Sequence, residues 1–549
     1  MGMFSRSGLG NSNVEPNISP IKKPVTLIVL DGLGIHSDKE GNAVLQAQTP
    51  FLDLAWTQGR SSLLHASGTY VGLPSEAVGN SETGHLNIGA GQVVYQSLPR
   101  INDAISSHEL DENPVVKEMF SRVRKRGSDM HLVGVLSAAG VHGHIKHLFS
   151  FMEMCRAYAI NPYIHIITDG RDTPQREAFL YINKLKEKMA ELGVGRIASM
   201  MGRFYAMDRD SKWERTKLAY DAMVGASPEK FTDPIEALQR EYKAGRDDAH
   251  VVPMTRVGGN GQVIGTVKPN DVVLFYNFRE DRARQLTKVF VLQDFPHFRR
   301  INFPSNLYFV TMTGYEEGLP SKVIFPPKKI KKSLAAILSD NGKKQIHISE
   351  SEKHMHVSYF FNGGIEEEHI GEEFYNIPSP DVKSYAEIPK MSALKIQEYS
   401  TRRLAEVDDD FMLINFANPD MVGHTGELKA AIRANEVTDS CTAEVVKKTL
   451  AKGGVAIIIA DHGNCETMID RVTKQVHVAH TNSPVPFILL EKDMDITRRA
   501  DRKVLKIGTG EKAKVTGILA DIAPTVLGFV GVTPPESMTG MDLVKVLYK

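Results

Sequence analysis

Three apolar runs, Val25–Leu30, Phe411–Phe416 and Val455–Ala460, constrain this chain more than any other feature. Each has the length of a strand and lacks polar alternation, the pattern of a strand buried on both faces of a parallel sheet. Each then runs into acidic and imidazole side chains: Asp31; Asn418-Pro419-Asp420 followed by His424; Asp461-His462. In open α/β sheets, sites lie outside the carboxyl ends of the strands. Neighbouring strands would bring these tips together. The reading is therefore one domain built from both ends of the chain, with the middle inserted.

The middle is also α/β. Leu132–Ser137, Tyr163–Thr168, Arg196–Met201, Val272–Asn277 and Leu307–Met312 read as short buried strands, with amphipathic helical stretches such as Arg176–Leu192 between them. Thr255–Val267, around Gly258-Gly259-Asn260-Gly261, reads as a β-hairpin. Between Gly318 and Lys332 the composition shifts to Pro and Lys, marking a linker. Beyond it, Gln345–Ser349 reads as a strand, and Lys390–Val407 and Ala430–Ala451 as helices. Near the start, Thr49–Gln58 reads as a helix opened by Thr49, with Pro50 at its first position.

A chain of 549 residues exceeds one core, so two or three domains are expected. Lys+Arg and Asp+Glu both number 66, which argues against bulk binding to nucleic acid or an acidic membrane. No apolar run approaches the roughly 20 residues of a membrane helix. Cys155, Cys441 and Cys465 are odd in number and not spaced like a zinc or redox motif, so reduced thiols in the cytoplasm are expected. Residues 1–20 are rich in Ser, Asn, Gly and Pro without a signal-peptide core, and read as a loose N-terminal extension.

The chemistry centres on Val78-Gly79-Asn80-Ser81-Glu82-Thr83-Gly84-His85. Ser81 is a natural helix cap, though Gly84 rules out a capping box. Gly79 and Gly84 read as leaving the serine open on both sides. Elsewhere, Asp420 and His424 share a face at helical spacing, Asp461 and His462 are adjacent at a strand end, and His477 and His480 precede Asn482-Ser483-Pro484. Carboxylate plus imidazole suits zinc, manganese or a similar divalent ion, and the set suffices for two. A serine hydroxyl is a weak nucleophile at neutral pH. Metal coordination activates it, and a second ion neutralises charge on a phosphoryl group. The implied reaction is phosphoryl transfer through phosphoserine. In the middle region Arg171, Arg203, Arg209, Arg279 and Arg282 lie near strand ends, and His142 follows another; such forks match carboxylate and phosphate.

With these motifs the sequence resembles the cofactor-independent phosphoglycerate mutases of the alkaline phosphatase superfamily. The resemblance runs from about Pro24 to Val546. It is carried by Asp31-Gly32, the Gly79-to-His85 loop, Gly140-Val141-His142, Asp169-Gly170-Arg171-Asp172-Thr173-Pro174, Gly202-Arg203, Ala206-Met207-Asp208-Arg209-Asp210, Asn277-Phe278-Arg279, Glu350 to His356, Asn418 to His424 and Asp461-His462-Gly463-Asn464. It implies an alkaline-phosphatase-like α/β domain from residues 1–95 and 329–549, and an inserted α/β transferase domain at 96–328. The implied activity interconverts 3- and 2-phosphoglycerate, in glycolysis and gluconeogenesis, without bisphosphoglycerate. One ion would be held by Asp420, His424 and His480, the other by Asp31, Asp461, His462 and the Ser81 oxygen. Manganese heads the candidate metals, ahead of cobalt, magnesium and zinc. His142, Arg171, Asp172, Arg203, Arg209, Arg279 and Arg282 would bind substrate, Lys353 would stabilise the transferring group, Asp172 would move protons, and Asn80 would touch the phosphate. Departures from the family pattern are Ala138-Ala139 before Gly140, His354 after Lys353, and Asn482-Ser483. A monomer is expected, binding phosphoglycerate and neither nucleic acid nor membrane, with hinges near Leu98-Pro99 and Pro326-Pro327 closing the domains over it. A plain phosphatase or a phosphopentomutase is the nearest rival, and neither a sulfatase nor a nucleic-acid-binding protein fits as well.

Overall fold

The computed structural model describes residues 24–326, 330, 332–470, 472–492 and 504–547. Residues 1–20 and Pro327 to Lys329 of the expected linker lie outside the described residues. The chain divides into two compact units, Met1–Tyr95 with Lys329–Lys549, and Gln96–Lys328. Both are mixed α/β with a mostly parallel sheet.

Among the described residues the first unit has an eight-stranded sheet. Its order is Glu372–Ile377, Gln345–Glu350, Phe411–Phe416, Val25–Leu30, Val455–Ile459, Val485–Glu491, Arg60–His65, Val515–Ile518. The Val485 strand is antiparallel to both neighbours, and the other pairings are parallel. The three apolar runs are therefore adjacent, with Val29 opposite Asn415 on one side and Ile459 on the other. Every residue of the three strands is buried, which is why their sequences do not alternate. Each buried Leu, Ile or Val is worth roughly 1.5–3 kcal/mol, so this trio anchors the core beneath the site.

Helix Pro50–Gln58 begins at the expected proline, but Thr49 makes no side-chain cap bond. Asp439, from the long helix Leu428–Ala451, supplies the cap by accepting from Phe51 N at 3.3 Å and Leu52 N at 2.7 Å. Burial pushes the Asp439 carboxyl up to about 6.

The second unit's described residues also form an eight-stranded sheet. Its order is Lys322–Phe325, Tyr308–Thr313, Val272–Phe275, Met130–Val135, Tyr163–Thr168, Arg196–Gly202, Met254–Arg256, Lys230–Phe231. Only the Arg196–Met254 pairing is antiparallel. The expected hairpin over Thr255–Val267 forms only around its tip, where Gly258 N donates to the Gln262 carbonyl at 2.9 Å and Ile264 N to the Arg256 carbonyl at 3.0 Å. Its first arm pairs with the Arg196 strand, and its return arm is reduced to a Val257–Val263 bridge. The first arm lies between the Arg196 and Lys230 strands, so the sheet takes up its pairing capacity and leaves the return arm short. The Val272 strand stops at Phe275, two residues short of expectation, because the Asn277 side chain takes over the ladder and accepts from Val135 N at 2.9 Å. Among the described residues, no helix is long and apolar enough to cross a membrane.

Candidate active site

Ser81 opens a helix, Ser81–Ala90, whose cap is Asn80: its Oδ1 accepts from Thr83 N at 2.9 Å. The cap role expected of Ser81 thus falls one residue earlier, and the serine hydroxyl turns to other side chains. Its Oγ lies 2.8 Å from Lys353 Nζ, 2.9 Å from His462 Nε2 and 3.2 Å from Asp31 Oδ1. The glycines also serve packing. A Cβ on Gly84 would sit 2.7 Å from the Asp461 carbonyl oxygen, and one on Gly79 2.9 Å from His462 Cβ. They let the helix start press against the Asp461-His462 turn.

Lys353 stands on a short turn after the Gln345–Glu350 strand. Its Nζ donates to Asp31 Oδ1 at 2.7 Å and Asp420 Oδ2 at 2.6 Å, and the side chain is buried. Burial disfavours its charge, but Asp31, Asp420 and Asp461 overcome that and raise its pKa. Burial likewise pushes the Asp31 and Asp420 carboxyls up. The Lys353 ammonium wins and holds both below the usual carboxylate range.

The imidazoles carry the clearest signature of a cation site. His424 Nδ1 lies 2.7 Å from the Val478 carbonyl, His480 Nδ1 2.9 Å from the Gly79 carbonyl, and His462 Nδ1 3.2 Å from the Gly463 carbonyl. A carbonyl only accepts, so these partners keep a proton on each Nδ1 and turn Nε2, the nitrogen that can give up its proton to a metal ion, into the cluster. The Nε2 atoms of His424 and His480 face each other at 3.0 Å, both close to Asp420 Oδ1, at 3.2 and 3.3 Å. Two imidazole nitrogens and a carboxylate oxygen converging on one point form a donor set suited to a cation. His462 Nε2 lies 3.5 Å from Asp31 Oδ1 and 3.6 Å from Asp461 Oδ2. Burial lowers its pKa and Asp461, with Asp31 and Asp420, raises it, the net being a rise to about 9. Asp461 Oδ2 is buried without a hydrogen-bond partner. The residues present fit divalent ions.

Three residues at this centre were not singled out in the sequence. His85 Nδ1 is 3.3 Å from Asp461 Oδ2, but it bonds the Ser81 carbonyl at 2.9 Å, and its Nε2 meets Asn415 Nδ2 at 3.1 Å. Both ring nitrogens are engaged, so His85 positions the serine's helix turn. Its i,i+4 spacing from Ser81 was the available signal. Asn415 also donates to Asp31 Oδ2 at 2.8 Å, and Asn464 donates to Asp420 Oδ1 at 3.0 Å. His477 stands apart from the cluster, on the Thr467 carbonyl at 3.0 Å.

The second unit gathers its own constellation at the carboxyl ends of adjacent strands. Arg203 is buried, and its Nη1 reaches Asp169 Oδ1 at 2.5 Å and Asp172 Oδ2 at 2.6 Å. Arg209 Nη1 donates to Asp281 Oδ2 at 2.8 Å, Arg279 Nε lies 3.4 Å from Asp281 Oδ1, and Arg282 Nη1 reaches the Met207 carbonyl at 3.3 Å. Arg171 is exposed. His142 Nε2 is 3.8 Å from Asp172 and its Nδ1 3.6 Å from Asp281 Oδ1, and those last two atoms are buried without a hydrogen-bond partner. Arg203, Arg209 and Arg279 are paired with Asp169, Asp172 and Asp281, so the cluster is an ion-pair network.

Burial, reinforced by Arg203, pushes the His142 imidazole down to about 4, although Asp281 and Asp172 pull it up and Arg279 adds to the depression. The neutral form is favoured in the fold, so its share of stability is intact above the ordinary pKa of 6.5 and is lost as pH falls toward about 4. The His142 ring resonance is expected to stay at its neutral position from about pH 8 to about pH 5, where an ordinary imidazole titrates. A proton NMR titration against His142→Gln checks this, and a midpoint near 6.5 would refute it.

Fold and site together define a two-unit α/β protein whose buried serine is ringed by carboxylates, imidazoles and one ammonium. Residues 101–317 match the family described as BPG-independent PGAM N-terminus. The chain is 43% identical over 526 residues, 95% of its length, to the whole of the 2,3-bisphosphoglycerate-independent phosphoglycerate mutase of Clostridium novyi (strain NT). It is 43% identical over 522 residues to that of Synechococcus sp. (strain JA-2-3B'a(2-13)), covering 95% of this chain and 96% of the relative. Among solved structures it is similar to Leishmania mexicana phosphoglycerate mutase at low cobalt concentration, with a TM-score of 0.58 and 31% identity, covering 96% of this chain and 98% of that one. The chain belongs to the 2,3-bisphosphoglycerate-independent phosphoglycerate mutases.

Proposed function

We propose that this enzyme is an isomerase interconverting 3- and 2-phosphoglycerate by intramolecular phosphoryl transfer through phosphoserine, without bisphosphoglycerate. The observation that carries the reading is the Ser81 hydroxyl lodged between Lys353 Nζ and His462 Nε2, at 2.8 and 2.9 Å. The first unit is the phosphatase-like part. Asp420, His424 and His480 would hold one divalent ion, and Asp31, Asp461, His462 and Ser81 the other. Bound there, the ions supply charge neutralisation at the phosphoryl oxygens and activation of the serine. Manganese heads our order, before cobalt, magnesium and zinc, and mixed carboxylate and imidazole donors accept all four.

Ser81 Oγ forms the new bond to phosphorus while the bond from phosphorus to the substrate's 3-oxygen breaks. Lys353 stays on the transferring group and offsets its growing charge. Asn80 Oδ1 is committed to its helix cap, so its amide N–H group is the part that donates to phosphate. The second unit is the clamp: His142, Arg171, Arg203, Arg209, Arg279 and Arg282 hold the glycerate. Asp172 takes the proton of the 2-hydroxyl and delivers one to the 3-oxygen. The 2-oxygen then attacks phosphorus, the bond from phosphorus to Ser81 Oγ breaks, and Ser81 leaves as the alkoxide in which it attacked, its proton having passed to solvent when the hydroxyl ionised before the first step. Holding the alcohol rather than releasing it is worth roughly 7–11 kcal/mol when well aligned, and it separates a mutase from a phosphatase.

In this reading the enzyme works as a monomer in the cytoplasm on a small-molecule substrate, in keeping with three buried, unbridged cysteines. The test is conversion of 3-phosphoglycerate with no bisphosphoglycerate added. Turnover is expected with manganese, loss of at least about a hundredfold after chelation, and recovery on re-adding metal, since metal charge stabilisation is worth several kcal/mol. Dependence on bisphosphoglycerate, or activity untouched by complete metal removal, would overturn the proposal.

A further inference from the structure

The turn Gly463-Asn464-Cys465-Glu466 reaches each segment that carries proposed ligands. Cys465 N donates to the Gly32 carbonyl at 3.2 Å, beside Asp31, and Asn464 holds Asp420. Glu466 serves the third segment. It is buried at 1% exposure, and its Oε1 accepts from the Thr481 hydroxyl, next to His480. Thr481 N also donates to the Gly463 carbonyl at 2.9 Å, so side chain and backbone together pin this segment to the turn. Room for the carboxylate has been cleared. A Cβ on Gly34 would lie 2.4 Å from Glu466 Cδ, and one on Gly463 2.8 Å from its Oε1.

The chain leading to His480 is otherwise held by single bonds, from His477 N to the Met468 carbonyl at 3.0 Å and from the His424 and His480 rings to the Val478 and Gly79 carbonyls, and the Glu466–Thr481 pin adds the anchor next to the ligand. Residues 472–476, 478 and 479 are exposed, and His480 lines an open cleft of about 580 Å³. His424 and Asp420, by contrast, stand on one short helix and its cap. A carboxylate buried at the cost of its solvation, with Oε2 left without a hydrogen-bond partner, needs a compensating role.

We infer that Glu466, acting through Thr481, is the positioning residue for His480 and sets the affinity of one metal site without touching the other. The inference rests on the reading of His480 as a ligand. Outer partners of metal ligands typically tune affinity about 10–100-fold.

The test is calorimetric titration of manganese into the metal-free full-length protein. Wild type is expected to bind two ions. Glu466→Ala and Thr481→Val should keep one site at wild-type affinity and weaken the other about 10–100-fold. Glu466→Gln, which keeps an acceptor for the Thr481 hydroxyl, should recover most of the loss. In a His480→Ala background, Glu466→Ala should change nothing further. Thr481→Val removes one hydroxyl and decides the matter even where Glu466→Ala does not fold. Unchanged affinity at both sites, or equal weakening of both, would overturn the inference while leaving the two-ion reading in place. A wild type that binds no ion would overturn both.

Discussion

Ser81→Ala is expected to lower mutase turnover by at least about ten-thousandfold, the scale on which loss of a catalytic nucleophile is felt. The size follows from the geometry. Ser81 Oγ is the hydroxyl aligned by both an ammonium and an imidazole, and removing it leaves the transferring phosphoryl group no covalent station on the enzyme. Cys465 cannot replace it. That thiol is buried, which together with Glu466 drives its pKa up, and it points to the Gly32 carbonyl at 3.5 Å. The fold should survive. Lys353 keeps Asp31 and Asp420 as partners, and the lost hydroxyl forfeits about 1 kcal/mol of hydrogen bonding. Two measurements check this. Steady-state assay gives the loss, and acid quenching after radiolabelled 3-phosphoglycerate reports label on wild type and none on the variant. Turnover within tenfold of wild type, or label retained on the alanine variant, would end the phosphoserine reading.

Much of this architecture was legible because local pattern and tertiary role coincide. The Val25, Phe411 and Val455 runs lack alternation because both faces are covered, and the acids that follow them mark the strand ends. Adjacency of the three strands then followed from chemistry, since isolated buried carboxylates are costly and shared ones recruit cations. What escaped was nonlocal. The Asp439 cap on the Pro50 helix joins residues nearly four hundred positions apart and replaces the obvious local candidate, Thr49. Asn80 and Ser81 both suit a cap, and only the packing of Gly79 and Gly84 against the His462 turn decides between them. The Arg60 and Val515 strands lack the strong run of the central trio, and the apolar Val485 strand, which carries Pro486, runs antiparallel between its neighbours; all three complete the sheet through pairing that the sequence does not advertise. Lys353 stands in a charged stretch, Glu350 to Lys353, where a solvated lysine is the natural expectation. Family resemblance alone marked it, and the fold buries it between two aspartates.

That burial makes Lys353 the residue whose loss should most affect the metal-free protein. In Lys353→Met the stem volume is kept and the ammonium is removed. Asp31, Asp420 and Asp461 then share a pocket at 0–2% side-chain exposure, with His462 their main remaining neutraliser. Breaking a buried ion pair by deleting one partner costs about 3–5 kcal/mol, because the abandoned charge keeps its desolvation cost without its attraction. The variant in chelator should therefore unfold at lower denaturant than wild type by that margin, read from denaturant midpoints at equal slope. Divalent ions supply the missing positive charge at the same carboxylates, so manganese should restore most of the stability. Turnover should not recover with it. The ammonium also meets the Ser81 oxygen, at 2.8 Å, and charge developing on the transferring phosphoryl group loses a preorganised donor worth about a hundred- to a thousandfold in kcat. Stability rescued by metal while activity stays low would separate the two roles of one side chain. A variant as stable as wild type in chelator would show that the aspartates do not depend on Lys353 for their charge, and the electrostatic account of the site would fail.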